Sequence, residues 1–495
     1  MKESKYQMRR PLTFSLRLRN TNRQNALNSL TSNNDRQLTA PRCAVTLLLL
    51  TLVMPSIMTA AETSKPSEID KPQAPAPLGE YQPADKRVVD PSTLAGKLMF
   101  GYQGWFSTPL DGSPMKTWNH WSIKNRNPPD QTNVRVQMWP DLSEYDPDEL
   151  YDTGLKYPDG SVAKVYSAWN TKTVMRHFRW MQDYNLDGAL HYRFINRIST
   201  KPERRVFYDR VLDNMRKGAE AYGRVFGLQY DISDHSGVIL VEDIKNDWIG
   251  LVDNLKITAS PNYLHHRGKP LLVLRNFGME GGKRMITPAQ ATELITWLKT
   301  GAPEKYRVTL MGALPGYWRT NGRDVKQESG WPEVFRSFDV ISCWPVGRFS
   351  NQAGADKWLN EITKPDMEEC VRLGIDYIPA IYPGYSYHNA DPEKIYNDKP
   401  RMGGRFYWHQ VKNNVSAGAT MMYNAIFDEI DEGTAMFKVS TSSKTQPVMT
   451  EDRPFLPLDA DGEKLPSDFY LKLADYAGRM LRKEIPLIER RPIDP

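Results

Sequence analysis

Eight short apolar runs constrain the fold of this chain more than any other feature. They lie at residues 98–102, 188–194, 225–232, 270–276, 308–314, 339–346, 377–383 and 420–428. Each is nearly continuous and bounded by Gly, Pro or charge, the pattern of a strand buried on both faces. Between them lie amphipathic stretches at 171–184, 204–222, 287–300, 364–373 and 405–417. The third opens on Thr287-Pro288, a good N-cap followed by Pro at the first helical position. Strands alternating with helices predict an α/β fold with a parallel sheet. Eight units in this length fit a single (β/α)8 TIM barrel with long βα loops better than several small domains.

In such a barrel the chemistry sits at the C-terminal ends of the strands. Here those ends are aromatic and polar. The first run leads into Tyr102, Gln103 and Trp105, the second ends on His191 and Arg193, and the third on Tyr230 and Asp231. The fourth ends on Arg275, the fifth leads to Trp318, the sixth to Trp344 and Arg348, and the seventh to Tyr382 and His388. Aromatic rings stack on the apolar faces of sugars, while charged and amide side chains bond the hydroxyls, so this rim suits a carbohydrate.

The eighth run ends in Asp428-Glu-Ile-Asp-Glu-Gly433, four carboxylates in five positions. Carboxylates repel at such density, and stability alone would not gather them. In an extended strand Glu429 and Glu432 would face opposite ways, but in a helix-like turn they converge. Crowding then splits their pKa values into a proton donor and a proton acceptor, as glycoside hydrolysis needs. Rival motifs are missing. Position 3 of a calcium loop counted from Asp428 would be Ile430 and position 12 Val439. No zinc, nucleophile-elbow, phosphate-loop or dinucleotide signature occurs, so no metal and no cofactor are expected.

Charge gives one misleading hint. The chain has 65 Lys+Arg against 59 Asp+Glu, a net +6, which invites a nucleic-acid reading. Yet residues 1–61 hold nine of the basic groups and only Glu3 and Asp35 as acids. They read as a basic leader followed by an apolar run at 44–54 and small residues at 59–61, a secretory signal. Cleavage there leaves 56 basic against 57 acidic groups. That balance asks for no nucleic acid and points to a neutral oligo- or polysaccharide held by aromatic faces. A secreted or periplasmic location is expected, the alternative being a membrane anchor at 44–61 if the leader is uncleaved. Residues 62–90 read as a Pro-rich linker and 91–495 as the barrel domain. After cleavage two Cys remain, Cys343 and Cys370, which either pair or sit as free core thiols.

Over residues 94–440 the sequence resembles the glycoside hydrolase family 71/99-like group. The landmarks are Gly101-Tyr-Gln-Gly-Trp-Phe106, Tyr230-Asp-Ile232, Trp344-Pro-Val-Gly-Arg348, Tyr382-Pro-Gly-Tyr-Ser386, Gly403-Gly-Arg-Phe-Tyr-Trp408 and Phe427-Asp-Glu-Ile-Asp-Glu-Gly-Thr434. The family motif reads Asn-Glu-Trp-His-Glu-Gly-Thr. Glu429 matches its first Glu and Glu432 its second, while Asp428 replaces Asn and Ile430-Asp431 replace Trp-His. The resemblance implies a retaining α-mannosidase-like mechanism through a 1,2-anhydro sugar. In it Glu429 deprotonates the 2-hydroxyl and Glu432 serves as acid and then base. It adds Arg405, Trp408 and Asp428 to the candidate sugar ligands. A non-catalytic carbohydrate-binding barrel shares the rim but does not need both Glu residues.

Overall fold

The computed structural model describes residues 80–233, 240–282 and 285–494. The leader and most of the expected linker lie outside the described residues.

Eight parallel strands follow one another around a barrel. They are β1 (Leu98–Tyr102), β2 (Gly188–Phe194), β3 (Val225–Asp231), β4 (Lys269–Arg275), β5 (Thr309–Leu314), β6 (Val340–Cys343), β7 (Asp376–Tyr377 with Ala380–Ile381) and β8 (Met422–Asn424). Neighbours pair in register from Met99↔Gly188 to Met311↔Val340. β1 meets β8 at Leu98↔Met422. The seventh run is expected as one strand but forms two short pieces. Pro379 between them has no N–H to donate. The first piece pairs with β6 and the second with β8, so the interrupted strand still joins the two sides of the sheet.

Side-chain parity explains why the runs are apolar throughout. On β4, Leu271 and Val273 belong to the cluster that fills the barrel, while Leu272 and Leu274 join the layer under the helices. On β1, Met99 faces in, and Leu98, Phe100 and Tyr102 face out. Burying each such side chain contributes about 1.5–3 kcal/mol, so neither face tolerates the polar alternation of a half-wet sheet.

The outer layer is built from α1 (Thr171–Asp183), α2 (Pro202–Tyr222), α3 (Leu240–Asp253), α4 (Pro288–Thr296), α5 (Trp331–Phe335), α6 (Gln352–Trp358), α7 (Lys364–Leu373), α8 (Arg405–Ser416) and α9 (Phe469–Leu481). Thr287 caps α4 as its sequence predicts: its hydroxyl accepts the Gln290 N–H at 3.3 Å and the Gln290 side chain reaches back. Among the described residues no helix is long and apolar enough to cross a membrane.

The docked part of the chain begins before residue 91. Tyr81 donates to Asp475 at 3.1 Å, Lys86 pairs with Asp183 at 2.7 Å, and Val89 is buried with its N–H on the Gly223 carbonyl. Cys343 and Cys370 are both free, buried thiols.

Candidate active site

The loop after β8 folds back onto the end of β1. Phe427 N–H donates to the Gly101 carbonyl at 2.8 Å. The Asp428 carboxylate then accepts the N–H groups of Gln103 at 2.7 Å and Gly104 at 2.8 Å. Gly104 turns there with φ 57°, and a Cβ would meet Val211 at 2.6 Å. Asp428 is therefore a clamp between two strand ends rather than a sugar ligand. Its burial outweighs these donors and pushes its carboxyl up to about 7.

The clamp sets the position of Glu429. Gln103, next to the clamped amides, donates its Nε2–H to Glu429 Oε2 at 2.7 Å. Glu429 Oε1 is buried with no partner. Residues 430–433 form the expected turn, closed by Thr434 N–H on the Glu429 carbonyl at 3.1 Å. Ser386 N–H donates to the Glu432 carbonyl at 3.0 Å, and Arg401 holds the carbonyls of Gly433 and Ala435. Glu432 is half-buried. Burial, then the Asp431 charge, push its carboxyl up to about 7. Burial, then Glu432 and Asp431, push Glu429 up further. The two groups thus share a proton near neutral pH.

Asp431 completes the turn. It accepts Arg135 Nε–H at 3.1 Å and His120 Nδ1–H at 2.7 Å. Burial holds His120 neutral, down at about 3, so it acts as a donor and Arg135 supplies the counter-charge. Burial alone would raise Asp431; its two partners outweigh that and hold it below the usual carboxylate range. Trp105 stacks on His120 with ring centres 3.6 Å apart.

Across the mouth, Arg275 lies 4.3 Å from the ring centre of Trp344. Asp231 accepts Asn276 Nδ2–H at 3.0 Å on each oxygen. Beneath them, Gln229 donates to the Tyr423 hydroxyl at 3.0 Å, and that hydroxyl lies 3.3 Å from Tyr192. The structure thus brings together Gln103, Trp105, Asp231, Arg275, Trp344, Asp428, Glu429 and Glu432. His120, Arg135, Asn276, Tyr192, Gln229 and Tyr423 are additions that the sequence reading misses. Tyr192, Gln229 and Tyr423 follow from strand parity once the inward face is known. His120 and Arg135 come from the long β1–α1 loop, which carries no motif.

The other expected sugar ligands are elsewhere. Tyr102, His191, Arg193 and Tyr230 point outward under the helices. Tyr102 bonds His177 at 2.8 Å and the His191 ring lies against Tyr208. Arg193 and Tyr230 both bond Asp247, Arg193 through Nε at 2.5 Å. Trp318 donates to Asp366 at 2.9 Å, and Trp408 to the Ile488 carbonyl at 3.0 Å; both are buried. Tyr382 packs between Phe349 and Phe406. Arg348 pairs with Asp324, Arg405 with Glu463, and His388 faces the Lys394 and Asp452 carbonyls. Apart from His191, whose buried ring nitrogens have no hydrogen-bond partner among the described residues, each side chain is spent on holding a loop or helix. Among the described residues no group of three His, Cys, Asp or Glu side chains is placed to hold a metal ion.

No protein-family model and no curated protein matches this chain. Solved structures do. The glycoside hydrolase family 99 endo-α-mannosidase of Bacteroides thetaiotaomicron is similar over 79% of this chain and 99% of its own. The TM-score is 0.56 at 16% identity. The same enzyme in complex with bis-tris propane gives the same values, a TM-score of 0.56 at 16% identity. The likeness is one of fold, and it agrees with the barrel read from the sequence.

Proposed function

We propose that this protein is a glycosidase that cleaves α-linked glycans with retention, using Glu429 and Glu432. One observation carries the reading: two carboxyls meet at the barrel mouth, both pushed up by burial and Glu429 further by Glu432, and Glu429 keeps a buried oxygen without a partner. The pair shares a proton whose position small contacts decide. The Gln103 N–H favours ionised Glu429, and a sugar hydroxyl donating to Oε1 favours it further. The reactive form is the one in which this second donor moves the shared proton from Glu429 to Glu432.

In the first step Glu432 protonates the leaving oxygen as the C1–O bond breaks. Glu429 removes the 2-hydroxyl proton, and O2 closes on C1 to give a 1,2-anhydro sugar. In the second step Glu432 takes a proton from water, whose oxygen attacks C1. The C1–O2 bond opens and Glu429 returns the proton to O2. Two inversions leave the anomer unchanged. An α-mannoside-type glycan is the first substrate to try, supported by the matching positions of Glu429, Glu432, Gly433 and Thr434. We also propose export from the cytoplasm, supported by the basic leader and apolar run within residues 1–61. The test is product analysis on a panel of α-linked glycans, with the anomer of the first product followed by proton NMR. Retention is expected; an inverted first product overturns the mechanism.

A further inference from the structure

Arg275 is 5% exposed, and its charge is poorly matched. Its guanidinium sits among three rings, 4.3 Å from the centre of Trp344, 4.9 Å from Tyr192 and 6.0 Å from Tyr423. Among the described residues it donates no hydrogen bond, and Nε is buried without a partner. Its ion-pair contact is Asp231, with Nε 3.7 Å from Oδ2, too long for a hydrogen bond. Asp231 is already occupied by Asn276 and by the Ser233 N–H at 2.7 Å.

A buried guanidinium with empty N–H groups is costly, and the aromatic cage offsets only part of that. A planar fork of this kind is matched by an oxyanion, which fills two N–H groups at once and supplies the counter-charge. A sugar hydroxyl fills one and supplies no charge.

The surrounding charges lean the same way. Asp428 is held by two amides and Asp431 by Arg135 and His120, while Glu429 and Glu432 share a proton. On the β2 side Arg197 lies 4.6 Å from the Phe194 ring centre and 5.8 Å from Trp105. Its polar contact is neutral His120, at 3.2 Å. Arg204 is close enough that Arg197, after burial, lowers its pKa. Glu429 and Asp231 act on Arg275 through space and Glu203 on Arg204, but neither acid near Arg275 bonds its N–H groups, which stay open to an anion.

We propose that the sugar seated against β4 carries an anionic group, a carboxylate or a sulfate ester, received by Arg275. The substrate is then an acidic glycan and not the neutral one that the overall charge balance suggests. This rests on the mouth being a glycan site. The test is calorimetric binding to the Glu432→Gln protein, which should bind without turnover. The probes are hexuronate-bearing α-linked oligosaccharides with their carboxyl-reduced counterparts, and sulfated mannan oligosaccharides with their desulfated counterparts. In one of the two pairs the anionic member should bind at least about tenfold more tightly, and that pair names the anion. Adding Arg275→Gln should bring the ratio to about one, while Arg275→Lys, which keeps a charge in the cage, should retain part of it. Equal binding within both pairs overturns the proposal, as does an unchanged ratio in Arg275→Gln. If acidic glycans bind through Arg275 but the wild-type protein releases no reducing ends, the glycosidase reading fails and this one stands. If neutral glycans alone bind and are cleaved, the reverse holds. If no probe binds, both fail.

Discussion

Replacing Glu432 by Gln removes a charge that the native state holds at a cost. The cost follows from its rise from 4.5 to about 7 on folding, caused first by burial and then by Asp431. A carboxyl whose folded pKa lies above its unfolded value binds its proton more tightly in the native state. Stability therefore falls as pH rises from the unfolded value to the folded one, and the loss is complete above it. At 1.36 kcal/mol per pKa step the loss reaches about 3 kcal/mol at about pH 8.5 and stays under about 1 kcal/mol at about pH 5. Glutamine carries no charge, and its presence also relieves Glu429 of a repelling neighbour. The variant should thus melt higher than the wild type at about pH 8.5, by about 3 °C for a domain of this length. At about pH 5 the two should nearly coincide. Scanning calorimetry at matched scan rates on the full chain reads both numbers. A variant that melts at or below the wild type at alkaline pH would refute the claim that this carboxyl is held above its ordinary range.

Other outcomes follow from the same geometry. Gln103→Leu removes the N–H on Glu429, a hydrogen bond to a charged group worth about 1.5–3 kcal/mol, so kcat should fall by about tenfold to a hundredfold with KM little changed in initial-rate assays. The alkaline limb of the rate profile should fall through about pH 7 as Glu432 loses the proton it must donate, and a rate still rising at about pH 9 would contradict that assignment. Asp247→Asn removes the buried partner of Arg193 Nε and leaves Asp209 as its counter-charge, and should cost about 1–3 kcal/mol in denaturant unfolding. Activity per folded molecule should persist, because that pair lies under the helices and not in the mouth.

The barrel was legible because burial on both faces forces apolar runs, and those runs fall within a few residues of β1 to β8. The turn at Glu429–Glu432 was legible too, since carboxylates crowded at a strand end repel one another, although Asp428 and Asp431 turn out to hold the loop in place. Side-chain direction was not. On β2 the charged Arg193 looks like a site residue, yet the neighbouring Tyr192 faces the interior and Arg193 faces Asp247. A strand apolar on both faces does not announce which parity points inward, and of the two helices whose acids neutralise Arg193 the one that carries Asp247 was not among the predicted ones. His120 and Arg135 were illegible for a different reason. They reach Asp431 across 311 and 296 residues from a loop without periodicity, and only tertiary folding brings them there. Asp428 matches a candidate ligand by position, but its oxygens are consumed by backbone amides, which no side-chain pattern encodes.

The central claim is that Glu429 and Glu432 together cleave a glycosidic bond. Reducing-end release from a glycan panel that includes neutral and acidic α-linked oligosaccharides measures it directly, with wild-type, Glu429→Gln and Glu432→Gln proteins compared at equal folded concentration. The wild-type protein should release reducing ends from at least one member, and each variant should lose activity by about a hundredfold or more. Release at the wild-type rate by either variant would contradict the account.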